Sequence, residues 1–317
     1  QDLSTNYDAI IIGGGHNGLV CSAYLAKEGK KVLVLERRHL LGGAAVTEEL
    51  YPGFKYSRAS YVFSLFRPTI ARDLDLKRHG LKLHHRNPNS FTPLLDGRSL
   101  TLGGNSKENF NEISKFSTRD ASKFVEYENW LARMSTVIAP YLDSPPLDPS
   151  FSVQKWWEQL PPFVKFSWEC LKLGKEIPSF YELLNAPAAK ILDRWFDSES
   201  LKATLATDAV VGVMTSPEMP GSGYVLLHHL MGGAKEEVPG SWAYVEGGMG
   251  ALSNSIAKSS AEFGSQFRCS TSVSKIIIEN GKACGVLLED GTIIRAPKII
   301  SNATMQTTFG KLLEKEN

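Results

Sequence analysis

The run Tyr7-Asp8-Ala9-Ile10-Ile11-Ile12, broken by Gly13-Gly14-Gly15-His16-Asn17-Gly18, decides how this chain folds. A short, isoleucine-rich stretch ended by glycine reads as a parallel strand buried on both faces. From Leu19 to Glu28 the texture is helical, with Leu19, Ala23 and Ala26 recurring on one face and Gly29 placed to close the helix. Lys31 to Leu35 reads as a second strand, ended by Glu36. Together these segments make one β–α–β unit of about 30 residues.

Gly13, Gly15 and Gly18 match G-x-G-x-x-G, with a strand before, a helix after and an acid 23 residues beyond Gly13. The chemistry explains the residue types. Gly13 permits the tight turn, Gly15 lets a pyrophosphate approach the backbone, and Gly18 lets the helix sit close to the strand. The helix N-terminus, starting near His16 and Asn17, offers free N–H groups and partial positive charge to phosphates. Glu36 accepts hydrogen bonds from a ribose hydroxyl. Arg37 and Arg38 raise the question of a 2′-phosphate, but the adjacent carboxylate would repel it. Arg37 is retained as a residue on the adenosine side.

Gly42-Gly43 lies six residues past Glu36, where a nicotinamide-binding domain would continue with regular β–α repeats. The order resembles the FAD-dependent amine oxidase and phytoene desaturase family. Further matches follow in sequence: Gly247-Gly248-Met249-Gly250, Val273-Ser274-Lys275-Ile276, Gly281, Gly285-Val286, Asp290-Gly291 and Ile299-Ile300-Ser301-Asn302-Ala303. The resemblance implies FAD as cofactor and Gly42 and Gly43 as part of its site. It implies that Val273 meets the adenine through its backbone, and that Asn302-Ala303 marks the crossing back to the second domain. Arg37 to Glu49, Ser57 to Tyr61 and Leu201 to Ala209 are similar to a mitochondria-associated, phytoene-desaturase-like branch, which implies the mitochondrial matrix.

The expected fold class is α/β (α+β): a Rossmann-like FAD-binding domain with an interleaved sheet-plus-helix substrate domain. Its segments are expected at 6–60 and 246–303, around a substrate or cap domain at 61–245 with a helical insertion over about 105–205. Residues 304–317 are expected to start a crossover to a C-terminal segment that closes the flavin site in the family and lies beyond Asn317. The implied function is an FAD-dependent oxidoreductase taking a hydride from a C–H or C–N bond of a small or apolar substrate. The alternative is a non-catalytic binder on the same fold, like the Rab GDP-dissociation inhibitors. Ala44 stands where desaturases of the family usually carry arginine, so carotenoid chemistry is not inherited. Cys21, Cys170, Cys269 and Cys284 contain no close pair, which argues against disulfide reduction. No catalytic side chain is designated; Arg58, Tyr61 and Trp242 face the substrate by family order alone.

Composition limits the partners. The 317 residues are 42% hydrophobic and 22% charged with net charge +1, as in a globular protein. No long basic run exists, which argues against nucleic acid. No run approaches the about 18 apolar residues of a spanning helix, which leaves a peripheral membrane contact open. The adjacent pairs His84-His85 and His228-His229 point to different sides of a strand or helix, so no metal is expected.

The rest of the chain is read coarsely. Leu94 to Leu100 forms a hairpin around Asp96-Gly97, and residues 208–244 read as strands and loops. Ala251 to Phe263 reads as a helix, and 267–300 as a β-meander turning at Asn280-Gly281 and Asp290-Gly291. Trp130, Trp156, Trp157, Phe163, Phe166 and Trp168 lie among prolines and helices near Lys155, Lys165 and Lys172. They read first as the aromatic core of a helical subdomain, and second as a lid for a membrane or apolar substrate.

Overall fold

The structure is a computed structural model that describes residues 2–3, 7–103, 105–142, 164–232 and 242–313. The chain forms two compact units: residues 1–85 with 243–317, and residues 86–242. Strands β2 (Ala9–Ile12) and β3 (Val32–Leu35) are buried along their whole length, as the unbroken apolar runs require. They form the centre of a four-stranded parallel sheet of order β10-β3-β2-β14, where β10 is Gln266–Arg268 and β14 is Ile299–Ser301. The two outer strands therefore come from the far end of the chain.

Each strand splits its side chains between two layers. Ile10, Ile12, Leu33 and Leu35 pack against Ile276, Val286, Leu288 and Ile294 of an antiparallel meander. That meander comprises β11 (Val273–Glu279), β12 (Lys282–Leu288) and β13 (Ile293–Arg295), with the short β1 (Asp2–Leu3) parallel at its edge. Ile11, Val32 and Val34 face the other way, against Cys21 and Leu25 of α1 (His16–Lys27). Helix α10 (Met249–Glu262) lies beside α1. At this contact the buried hydroxyls of Ser22 and Ser260 are 2.7 Å apart; outside it, Ser259 Oγ donates to Leu74 O at 2.8 Å.

The unit boundary differs from the expected one. Residues 61–85 belong to the first unit, because β6 (Leu83–His85) pairs antiparallel with β9 (Ala243–Val245). Phe63 also bridges Ala243. The first unit further contains a hairpin of β4 (Thr47–Tyr51) and β5 (Phe54–Ser57), and the short helix α2 (Pro68–Asp73). After Ala303 the chain turns through α11 (Met305–Thr307) and buries Leu312 in the same core, so residues 304–313 stay with this unit.

The second unit opens with the hairpin β7 (Ser90–Pro93) and β8 (Ser99–Leu102), closed over Asp96-Gly97. Helices follow: α3 (Ser106–Ser114), α4 (Thr118–Ile138), α5 (164–172), α6 (Ile177–Asn185), α7 (Ala188–Trp195), α8 (Glu199–Ala206) and α9 (Ser222–Leu230). Phe124, Tyr127, Trp130, Leu131 and Met134 recur at helical spacing on α4 and are buried. Tyr127 meets Trp195 at 5.6 Å and Phe196 at 5.0 Å, and Trp130 meets Trp195 at 5.5 Å. Trp130 is thus part of an aromatic core. Phe166 stacks edge-on against Tyr141, whereas Trp168 is exposed. Trp156, Trp157, Phe163 and Lys155 lie outside the described residues.

Residues 222–230 are helical rather than strand-like. Gly223 explains why: its N–H donates to Ala186 O, and a Cβ there would sit 2.5 Å from Leu183 O. Backbone contact with α6 therefore sets the conformation, over the β-favouring Tyr224 and Val225.

Asp120 is wholly buried, and its carboxylate accepts N–H bonds from Asp197 and Ser198 at 2.7–3.1 Å. Asp120→Ala leaves both part-buried donors without this acceptor. It is expected to lower the unfolding free energy by about 2–4 kcal/mol in denaturant titration. A change within about 0.5 kcal/mol would contradict that role.

Candidate functional site: a glycine loop closed by a buried carboxylate

The loop between β2 and α1 is shaped by close approaches. Gly13 has φ +98°, in the region that favours glycine. Gly18 packs so tightly that a Cβ would overlap Gly13 O. The N-cap of α1 is Gly15, which carries no side-chain acceptor, and no acid occupies the first turn. The first intrahelical bond here is Leu19 N–H to Gly15 O at 2.9 Å. The N–H groups of His16, Asn17 and Gly18 therefore have no helical acceptor and, with the dipole, form an anion-binding end.

Glu36 closes this loop from the end of β3. It is buried; one carboxylate oxygen accepts from Gly14 N–H at 2.7 Å and the other from Arg38 N–H at 2.9 Å. A carboxylate has about four acceptor positions, so two remain for hydroxyl donors. The following chain is held beside the acid, since Thr271 N–H donates to Glu36 O and Ser270 N–H to Arg38 O. That places Val273, half-buried at the start of β11 opposite Leu288, two residues past the segment flanking Glu36.

The Gly42-Gly43 doublet lies directly on the loop. Gly42 N–H donates to Gly14 O at 2.7 Å, and Gly15 and Gly42 form a parallel bridge. A Cβ on Gly43 would be 3.0 Å from the Gly15 Cα. Asn302 covers the other side: its N–H donates to Ile12 O at 2.8 Å and its amide to Gly13 O at 3.4 Å. A Cβ on Gly15 would meet the Asn302 amide at 2.9 Å, so Gly15 is small for a neighbouring side chain as well as for a phosphate. Ala303 is one step further out, bonded through its N–H to Ser301 Oγ.

Other residues are placed differently. Arg37 is exposed, while Arg38 and Arg58 both pair with Glu48, at 2.7 and 3.1 Å. These guanidiniums, Arg38 foremost, hold the Glu48 carboxyl below the usual carboxylate range. Arg58 is thus committed to an ion pair, Tyr61 is exposed, and Trp242 lies in the second unit beneath the Arg86 guanidinium. Gly14 and Leu41 were not read from the sequence: Gly14 supplies the donor to Glu36, and Leu41 leaves no room for a side chain on Gly14. A third consecutive glycine with no assigned role was the only signal. The four cysteines are free thiols.

Fold and loop together have the form of a Rossmann-like dinucleotide-binding domain. Residues 11–75 match the NAD(P)-binding Rossmann-like domain. The chain is a homologue of pyridine nucleotide-disulfide oxidoreductase domain-containing protein 2. It is 49% identical to the rat protein over 329 aligned residues, covering 99% of this chain and 56% of the rat one. A limonene dehydrogenase chain of Castellaniella defragrans is 31% identical, with 98% of this chain and 54% of that protein covered. Chloroplastic prolycopene isomerase of Daucus carota is 32% identical, with 99% and 48% covered. The chain spans about half the length of these curated relatives. Among solved structures, putrescine oxidase bound to putrescine superposes with a TM-score of 0.59 at 17% identity, covering 98% of this chain and 61% of that one. A Rab GDI from Plasmodium falciparum superposes at 0.54 and 14% identity, covering 96% and 66%. Identities this low speak to fold alone.

Burial holds the His16 imidazole below its ordinary value of 6.5. The unfolded chain then takes up this proton at higher pH than the folded one. The associated stability is present above about pH 6.5 and is lost as pH falls below it. Between about pH 7.5 and pH 5, His16→Gln is expected to lose less stability than wild type in denaturant titrations. His228 shifts in the same direction and is common to both proteins, so parallel pH curves would rule out a lowered His16. Gly18→Ala, which forces a Cβ against Gly13 O, is expected to cost about 1–3 kcal/mol of stability.

Proposed function

We propose that the chain binds FAD by its adenosine-diphosphate half, as the nucleotide-binding part of an oxidoreductase. Its reaction takes a hydride from a C–H or C–N bond of a small or apolar substrate. The observation that carries this reading is the uncapped N-terminus of α1 set beside the buried, doubly bonded Glu36 carboxylate. The residues present fit such a group: donors for a diphosphate, acceptors for ribose hydroxyls, and glycines where a side chain would block access.

Bound FAD would supply the hydride acceptor. The chain supplies position. The N–H groups of His16, Asn17 and Gly18 would meet the diphosphate, so backbone donors balance the anion. Gly14 and Arg38 N–H groups fix the Glu36 carboxylate, whose remaining lone pairs take the ribose hydroxyls and disfavour a 2′-phosphate. A similar protein named as a limonene dehydrogenase subunit supports a C–H donor. The mitochondrial address rests on the resemblance and is tested by cell fractionation.

The deciding measurement is the visible spectrum of the purified protein with and without added FAD. Bound flavin is expected; its absence after addition would leave the non-catalytic binder. Gly15→Leu is expected to abolish FAD retention. Glu36→Ala is expected to weaken FAD binding by about 1–3 kcal/mol, the range for a hydrogen bond to a charged group. Wild-type FAD content in Gly15→Leu would contradict the site.

A further inference from the structure

A second glycine-rich turn, Gly247-Gly248-Met249-Gly250, also opens a helix, and the reading above makes no use of it. We infer that this turn is no second phosphate loop. It is one half of a hydroxyl clamp in which Thr47, Ser57 and Ser253 position the Gly42-Gly43 doublet against the first loop. Its consequence for FAD rests on the function proposed above; its geometry does not.

The two helix ends are chemically different. Both helices have a glycine N-cap with no cap bond of its own, and at α1 no side chain among the described residues accepts from the first N–H groups. At α10 they are already taken: Met249 N–H donates to Ser57 Oγ and Gly250 N–H to Thr47 Oγ1, each at 3.0 Å. Thr47 and Ser57 are register partners across the β4–β5 hairpin, so one rung of that hairpin caps the helix. The glycines are small for these hydroxyls. A Cβ on Gly248 would overlap Thr47 Oγ1 and lie 2.9 Å from Ser57 Oγ; one on Gly250 would lie 2.6 Å from Thr47 N. An anion here would have to displace hydroxyls that already satisfy the donors.

One turn further along α10, buried Ser253 Oγ donates to Ala45 O at 2.7 Å. Ala45 N–H in turn donates to Gly42 O at 2.9 Å, and a Cβ on Gly42 would sit 2.9 Å from Ser253 Oγ. Residues 42–47 are therefore pinned at both ends. Gly42 is bonded to Gly14 in the first loop, and Thr47 to the start of α10. Releasing the α10 end loosens the segment that holds the doublet on Gly14 and Gly15, leaving it the bonds from Arg58 N–H to Val46 O and Ser60 N–H to Ala44 O. Thr47, Ser57 and Ser253 are positioning residues, since they act on the site through Gly42 and Gly43.

The test is the double variant Thr47→Val/Ser57→Ala, read by amide hydrogen exchange without ligand and by FAD titration. Exchange of the 42–46 amides is expected to rise about tenfold while β2 and β3 stay protected, and the FAD Kd to rise about tenfold. Thr47→Ser, which keeps the hydroxyl, is expected to restore both. Ile256→Val removes a buried methyl from the same helix and is expected to move neither. Unchanged exchange at 42–46, or an equal rise in Ile256→Val, overturns the clamp. Faster exchange with unaltered FAD affinity overturns its positioning role. Faster exchange in a protein whose wild type binds no FAD leaves the clamp standing and removes the proposed function instead. Ser57→Ala alone gives the same comparison at smaller amplitude should the double variant not fold.

Discussion

The hydrogen bond from Gly14 N–H to the Glu36 carboxylate is the constraint on which the site depends. It joins the turn after β2 to the end of β3, beside the backbone bond from Gly13 N–H to Leu35 O. A buried carboxylate without donors would be costly, so the loop must keep a geometry in which its N–H groups point at Glu36 and along the α1 axis. The loop is therefore preorganised by the protein's own charge. A dinucleotide entering such a site meets donors and acceptors already in place, which lowers the ordering cost of binding.

Around that bond, the small residues divide the work. Gly13 accepts an unusual backbone conformation, Gly18 permits contact between helix and strand, and Gly15 and Gly43 let two backbones touch. The serines of α10 do for the helix face what these glycines do for the loop. Ser253, Ser259 and Ser260 bond to Ala45, Leu74 and Ser22, three segments far away in the chain. Helix α10 thus joins the two halves of the first unit by directional bonds as well as by apolar burial.

Much of this was legible in the sequence. Ile10 to Ile12 followed by glycine has few readings other than a buried strand and a turn, and Asn280-Gly281 and Asp290-Gly291 mark the meander because positive φ is needed there. The glycine loop and Glu36 were legible for the same reason: each residue type answers a local steric or charge requirement. What was not legible depends on partners distant in the chain. The Asn302 amide reaches a loop 289 residues earlier, and no local pattern reports it. The 222–230 helix answers to the backbone of α6, and the boundary at His85 is set by strands of three residues each, too short to announce themselves.

The interleaving of the first unit also fixes an order of events during synthesis. The central sheet cannot be completed until β10 and β14 emerge, yet its two middle strands and the glycine loop are made first. The helical unit, contiguous from Arg86 to Trp242, is finished before either edge strand exists. Its two ends leave from paired neighbours, His85 and Ala243, so it can fold as a closed insert while the first strands wait. The glycine loop is thus made before the strands that complete its sheet, and until β14 emerges the side of β2 away from β3 is an unpaired edge of Ile10, Ile11 and Ile12.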